Sequence, residues 1–151
     1  MSEVVADPRP LLAVLASAVA IVLILASHSR PNVREAWSVL AAVTKFAIIV
    51  SMLPGVLDGT RYEWSMGPLV GGGGGIEFAL QADPLGMIFA TLASLLWIFT
   101  AFYAAGYMRG LDEHSQTRFF AAFAASLSAA VGVAFAKNLL TIFVFYELLS
   151  V

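Results

Sequence analysis

The sequence predicts an all-α membrane protein: a polytopic bundle of about five transmembrane helices, the last one truncated. Three observations lead there. The chain is 60% hydrophobic and only 12% charged, whereas ordinary soluble domains run near 45–50% and 25%. Its apolar residues gather into long runs of about the twenty residues that a bilayer requires. The final run, from Asn138 to Val151, is apolar apart from its cap, one Thr, one Ser and a single carboxylate, Glu147. The range 1–151 reads as one unit. Its net charge of −2 gives no reason to expect nucleic acid as a partner. With no cysteine, disulfides, iron–sulfur clusters and thiolate zinc sites are excluded.

The first helix is expected over about 10–27. Pro10 suits a first turn, where its missing N–H would have had no partner. Glu3, Asp7 and Arg9 precede the run and the cations Arg30 and Arg34 follow it, so it reads as a retained anchor with its N-terminus outside. A signal peptide ending at the small residues Ala26-Ser27 is the alternative. Ser29-Arg30-Pro31-Asn32 is a break, because a residue before proline disfavours helix. The second helix is expected over about 34–53, with Trp37 near an interface and Pro54-Gly55 weakening its end.

Residues 58–82 read as an extramembrane loop of mixed character. Ile76, Phe78 and Leu80 alternate with Glu77, Ala79 and Gln81, which is strand-like. Tyr62 to Val70 could pair with them, provided Pro68 lies on an edge. Gly71 to Gly75 reads as a flexible turn. No Lys-Ser or Lys-Thr follows it, so a phosphate-binding loop is not indicated.

A third helix, about 84–107, has a clear start in the cap Asp83 and Pro84. Its aromatic second half (Trp97, Phe99, Phe102, Tyr103, Tyr107) fits lipid-facing and interfacial positions better than a cofactor box. Polar residues 108–118 follow. Among them His114 has no second ligand at metal-site spacing. The fourth helix, about 116–136, places Ala122, Ser126, Ala130 and Ala134 at every fourth position, with Ser128 and Gly132 as a second pair, a spacing that lets helices pack closely in lipid. Lys137-Asn138 then turns directly into the fifth helix, 138–151, making helices four and five antiparallel neighbours. At fourteen residues the fifth helix is about 21 Å long, short of the roughly 30 Å of a hydrocarbon core. The expectation is therefore either a fragment or a chain completed by a partner.

Two charges fall inside apolar helices. Glu147, nine residues beyond its expected cap Asn138, would lie roughly 13–14 Å in, near the middle of a bilayer. A carboxylate there costs about 2.5–3.5 kcal/mol or more and marks a functional site by default. Lys45 sits mid-helix in the second span. It either snorkels or faces a packed bundle interior, or it neutralises an intramembrane acid. Counted inward from opposite faces the two reach similar depth, so Lys45 is a possible charge partner of Glu147.

The strings Ala82-Asp83-Pro84-Leu85-Gly86, Gly106-Tyr107-Met108-Arg109, Thr117-Arg118-Phe119-Phe120, Ala136-Lys137-Asn138-Leu139-Leu140 and Phe145-Tyr146-Glu147-Leu148-Leu149 stand in an order that resembles the antiporter-like membrane subunits. These are the proton-translocating subunits of respiratory complex I, of membrane-bound hydrogenases and of multisubunit Mrp-type sodium/proton antiporters, with the match closest to the D-type subunit of the Mrp antiporters. The resemblance implies the N-terminal portion of a longer subunit of about fourteen helices. Glu147 matches the glutamate of a charged axis across the membrane plane, whose lysine partner lies on a later helix.

On that resemblance Glu147 is the expected proton-relay and charge-coupling residue. The function implied is that of a membrane subunit of a multisubunit monovalent cation/proton antiporter. A proton-pumping subunit of a complex I-like NADH:quinone oxidoreductase or hydrogenase is an alternative, and an inactive truncated fragment is another. The partners implied are other subunits of the complex, the lipid bilayer, and protons with sodium as a further ion. The location implied is the cell inner membrane. No cofactor is expected, and the chain alone is expected neither to exchange ions nor to pump protons.

Overall fold

A computed structural model describes residues 3–70, 75–111 and 114–150. The helices are α1 (Arg9–Ala26), α2 (Pro31–Leu57), α3 (Pro84–Gly110), α4 (Gln116–Ala134) and α5 (Leu139–Ser150). Four of them, α1 to α4, are long and apolar enough to cross a membrane. The bundle is all-α, as expected, but three strands cap one end of it: β1 (Val4–Ala6), β2 (Arg61–Val70) and β3 (Ile76–Ala82).

Local chemistry explains most helix ends. Asp83 caps α3 by accepting a hydrogen bond from the Gly86 N–H at 2.8 Å, with Pro84 in the first turn. Asn138 caps α5: its Oδ1 accepts from the Thr141 N–H at 3.0 Å and from Thr141 Oγ1 at 2.9 Å. Helix α2 differs from expectation at both ends. It begins at Pro31, which occupies the first turn, a position where proline is tolerated as well as it is at a break. It also runs through Pro54 to Leu57. Beside Pro54, Gly55 has no room for a Cβ because the Tyr62 hydroxyl from β2 lies against it.

The sheet has the order β1-β2-β3. Strand β1 runs parallel to β2, with Val4 opposite Arg61 and Ala6 opposite Glu63, so α1 and α2 together form the connection that a parallel pair requires. Strand β3 is antiparallel to β2, with Tyr62 opposite Ala82. The register slips on both sides of Pro68, and β1 reaches only as far as Glu63. The proline therefore sits on a stretch with one free edge, where its missing donor does least harm. Residues 58–82 are thus largely sheet rather than loop. Of the glycine run, 71–74 lie outside the described residues.

Two apolar clusters fill the bundle. One, at the sheet end, joins Val14, Ile49, Met52, Met87, Ala90, Val131 and Phe145 with Leu80 of β3. The other joins Ala20, Ile24, Ala42, Trp97, Ala101, Phe120 and Ala124. Between them, on four helices, lie the buried polar residues Ser17, Lys45, Ser94 and Ser128. The packing face of α4 carries Ala121, Ala124, Ser128, Ala129 and Gly132. Of the two expected small-residue rows, Ser128 and Gly132 lie on it, whereas Ala122 and Ser126 are exposed. Small residues lie all round this helix, so their spacing alone does not single out a face.

Candidate functional site

The entry to α5 is fixed by hydrogen bonds to β3. Asn138 Nδ2 donates to the Glu77 carbonyl at 2.7 Å. The Ala79 N–H donates to Thr141 Oγ1 at 3.0 Å. The α4–α5 hinge is strapped to β3: the Gln81 N–H donates to the Phe135 carbonyl at 2.6 Å and the Lys137 N–H to the Ala79 carbonyl at 3.1 Å. Further along, Phe145 lies against Gly132 of α4, whose missing Cβ makes room for the ring, and its centroid is 5.7 Å from that of Phe78.

Thr141 and Phe145 are therefore the buried residues of α5, one turn apart. Glu147, two residues past Phe145, is rotated by about 200° from it. It is exposed, on the face turned away from the rest of the bundle. Among the described residues its carboxylate has no salt-bridge or hydrogen-bond partner.

Lys45 is the opposite case. It is fully buried, and Nζ donates to Ser17 Oγ at 2.8 Å and to the Leu127 carbonyl at 2.9 Å. The Trp97 ring centroid lies 5.7 Å from Nζ. Of the readings open to the sequence, the packed bundle interior is the one the structure shows. It does not bring Lys45 and Glu147 together, because Lys45 points toward α1 and α4 while Glu147 faces outward from α5.

Two polar clusters outside the apolar core have no clear signal in the sequence. At the sheet end, Lys137 Nζ pairs with Glu63 at 2.6 Å and with Glu77 at 3.3 Å. Glu63 first, and Glu77 after it, hold the Lys137 ammonium above its ordinary range. The Ser65 hydroxyl donates to Glu77 Oε2 at 2.8 Å. That bond, followed by Lys137, holds the Glu77 carboxyl below the usual carboxylate range. At the other end Arg109 forks onto Glu35 through Nε at 3.0 Å and a terminal nitrogen at 2.5 Å, and Arg34 donates to Thr117 at 3.0 Å and Gln116 at 2.6 Å. Apart from Ser65 and Glu77, these contacts join residues 60 to 83 positions apart in the chain, and only Glu77, on its alternating strand, stood out locally. His114 is exposed. Among the described residues no three His, Cys, Asp or Glu side chains come together as a metal site would require.

Residues 70–120 match the family model described as NADH-ubiquinone oxidoreductase (complex I), chain 5 N-terminus. The chain is 35% identical over 77 residues, 51% of its length, to the A/B subunit of a probable K(+)/H(+) antiporter of Rhizobium meliloti (strain 1021). It is 28% identical over 136 residues, 85% of its length, to the chloroplastic NAD(P)H-quinone oxidoreductase subunit 5 of Drimys granadensis. The same subunit of Ipomoea purpurea is 26% identical over 124 residues, 79% of the chain.

Over these stretches the chain is similar to the antiporter/complex I-like membrane subunits.

It spans only 8% of the Rhizobium relative and 17% of each of the two plant subunits. With four helices able to cross a bilayer, it is a multi-pass membrane protein. The family match covers Asp83, Arg109 and Arg118, the first three of the five strings that carry the resemblance, and stops short of Glu147.

Proposed function

We propose that this chain is part of a membrane subunit of a multisubunit monovalent cation/proton antiporter, and that Glu147 is its proton-relay and charge-coupling carboxylate. One observation carries the residue assignment. Glu147 is the sole charge on an otherwise apolar helix, it faces outward, and it has no partner among the described residues. A carboxylate left in that position within lipid is costly, so it belongs against a cation or a hydrated path supplied by another helix of the assembly. The fixed entry to α5 supports the reading, because a relay group has to be held at a reproducible depth. At about 1.5 Å per residue, Glu147 lies about 13 Å beyond Asn138, near a membrane midplane if the cap marks an interface.

The name of the Rhizobium relative supports a monovalent cation, potassium, and a proton as the transported pair; sodium is the cation of the Mrp type that the sequence resembles. We assign the chain to the D type on the order of the motifs. A complex I-like proton-pumping subunit is the second reading, favoured by the plant relatives and the family model. The proposed location is the cell inner membrane with the N-terminus outside. Arg9, Arg61 and Lys137 then lie at the sheet end outside, and Arg30, Arg34, Arg109 and Arg118 inside.

The test is Glu147→Gln in the complete complex. Cation-driven proton movement in inverted vesicles is expected to fall about a hundredfold or more, the scale on which catalytic proton transfer acts, with the complex still assembled. Normal assembly with undiminished proton movement would remove the relay role. Proton movement driven by NADH oxidation, with no cation dependence, would favour the second reading. The 151-residue chain alone, reconstituted in vesicles, is expected to exchange no ions.

A further inference from the structure

Apart from Glu147, the most unusual group in the molecule is the amine enclosed between α1, α2, α3 and α4. Lys45 Nζ meets Ser17 Oγ at 2.8 Å, the Leu127 carbonyl at 2.9 Å and the Trp97 ring at 5.7 Å. No acid contacts it among the described residues. The surroundings carry a second layer of detail. Ser17 Oγ donates to the Val14 carbonyl at 3.1 Å, and Ser128 Oγ donates to the same carbonyl at 3.1 Å. The Ser17 hydroxyl proton therefore points away from Lys45, leaving its oxygen free to accept.

This arrangement accommodates an ammonium. Two N–H groups go to Ser17 and Leu127, and the remaining positive charge faces the indole ring. It accommodates a neutral amine equally well, with one hydroxyl rotation. If Ser17 turns its proton toward Nζ, the amine lone pair gains a donor. Val14 keeps Ser128 as its side-chain partner, one amine N–H remains on Leu127, and the other faces the ring. Neither state leaves a group newly unpaired, and neither needs a helix to move.

We infer that Lys45 is a second proton-binding site of this chain, distinct from Glu147, in which the Ser17 hydroxyl switches between accepting from the ammonium and donating to the amine. On release one N–H bond of the ammonium breaks, its electron pair stays on Nζ, and the proton passes to water. No fixed charge at this level sets the balance. Helix α1 has no titratable side chain between Arg9 and its end at Ala26. On α3 the titratable groups are Tyr103, Tyr107 and Arg109, all beyond Trp97. On α4 there is only Arg118, ten residues before Ser128. On α2 itself Arg34 and Glu35 lie about 15 Å away along the axis. Arg9 reaches the Ser51 carbonyl, about 9 Å from Lys45 along α2, and β2 meets α2 further on, where Tyr62 lies against Gly55. The inference does not depend on the role proposed for Glu147.

Lys45 and Lys137 are the chain's two lysines, which makes the test direct. The chain is labelled with 15N-Nζ lysine and reconstituted in lipid nanodiscs, and its two resonances are followed from about pH 5 to about pH 10. Lys137→Arg assigns the surface signal by its loss. The Lys45 resonance is expected to convert reversibly between ammonium and amine within that window. Trp97→Leu removes the ring that favours the ammonium and is expected to raise the amine-to-ammonium ratio at a given pH about tenfold. Ser128→Ala leaves Val14 without a side-chain donor once Ser17 turns, and is expected to lower that ratio about threefold. A Lys45 signal that stays in one form throughout would overturn the proposal. So would a Ser128→Ala shift toward the amine, a result readable even if Trp97→Leu does not fold.

Discussion

The two charges embedded in apolar helices have opposite surroundings. Lys45 is enclosed, and its nitrogen is met from three other helices of this chain: Ser17 on α1, Leu127 on α4 and Trp97 on α3. Glu147 lies on the outward face of α5, although Asn138 and Thr141 are pinned to β3 and Phe145 lies against Gly132 of α4. The difference teaches where each charge finds its compensation. The energy of Lys45 is settled within these helices, so changing it should be felt as loss of stability. That of Glu147 depends on what stands opposite, so changing it should be felt in the assembled complex.

The largest expected effect follows from that contrast. Lys45→Ala removes a fully buried side chain and strips Ser17 and Leu127 of their donor. It should destabilise the chain by about 2–4 kcal/mol, measured by unfolding in detergent micelles, whereas Glu147→Gln should change the same measurement by less than about 0.5 kcal/mol. Equal effects from the two would break the comparison. Next in size is Gly132→Leu, which fills the space held by the Phe145 ring. Overpacking there should cost about 1–3 kcal/mol and displace α5, while the Lys45 resonance stays unchanged.

The smallest effect is one of pH, outside the membrane helices. The Glu77 carboxyl is held low by Ser65 and Lys137, so its contribution is present above the ordinary carboxylate range and is lost as pH falls through its folded value. Lys137 is held high by Glu63 and Glu77, so its contribution is present below the ordinary lysine range and is lost as pH rises through its folded value. Protection of the Ala79 and Thr141 amides from hydrogen exchange, taken relative to the intrinsic rate at each pH, should therefore be highest between those limits and fall outside them. A flat profile across both would show that the backbone bonds alone hold the hinge.

Features that depend on neighbours in sequence could be read from it. Asp83 and Asn138 were identifiable as caps because a cap needs only the next few residues. The alternation from Ile76 to Gln81 marked a strand for the same reason. Proline was ambiguous: Pro31 opens α2 although the same residue can equally mark a break. Strand β1 carried no signal, since three residues pair with Arg61 to Glu63 only after two helices have intervened. The unusual character of Lys45 and Glu147 was plain from residue type and context. Their surroundings were not, because Ser17, Leu127 and Trp97 reach Lys45 from three other helices, and the outward face of Glu147 depends on which side of α5 Phe145 buries.

The layer of Ser17, Lys45, Ser94 and Ser128 between two apolar clusters also acts as a detent. Apolar helices in lipid have little to stop them sliding past one another, since one small or branched side chain packs nearly as well as the next. If α2 moved one turn, about 5.4 Å, Lys45 would be carried out of reach of Ser17 and the Leu127 carbonyl and into hydrocarbon-like surroundings. A buried polar group that has partners in a single alignment specifies register. Lys45 thereby indexes the four helices to one vertical setting, and it fixes the height at which α4 delivers the hinge that begins α5.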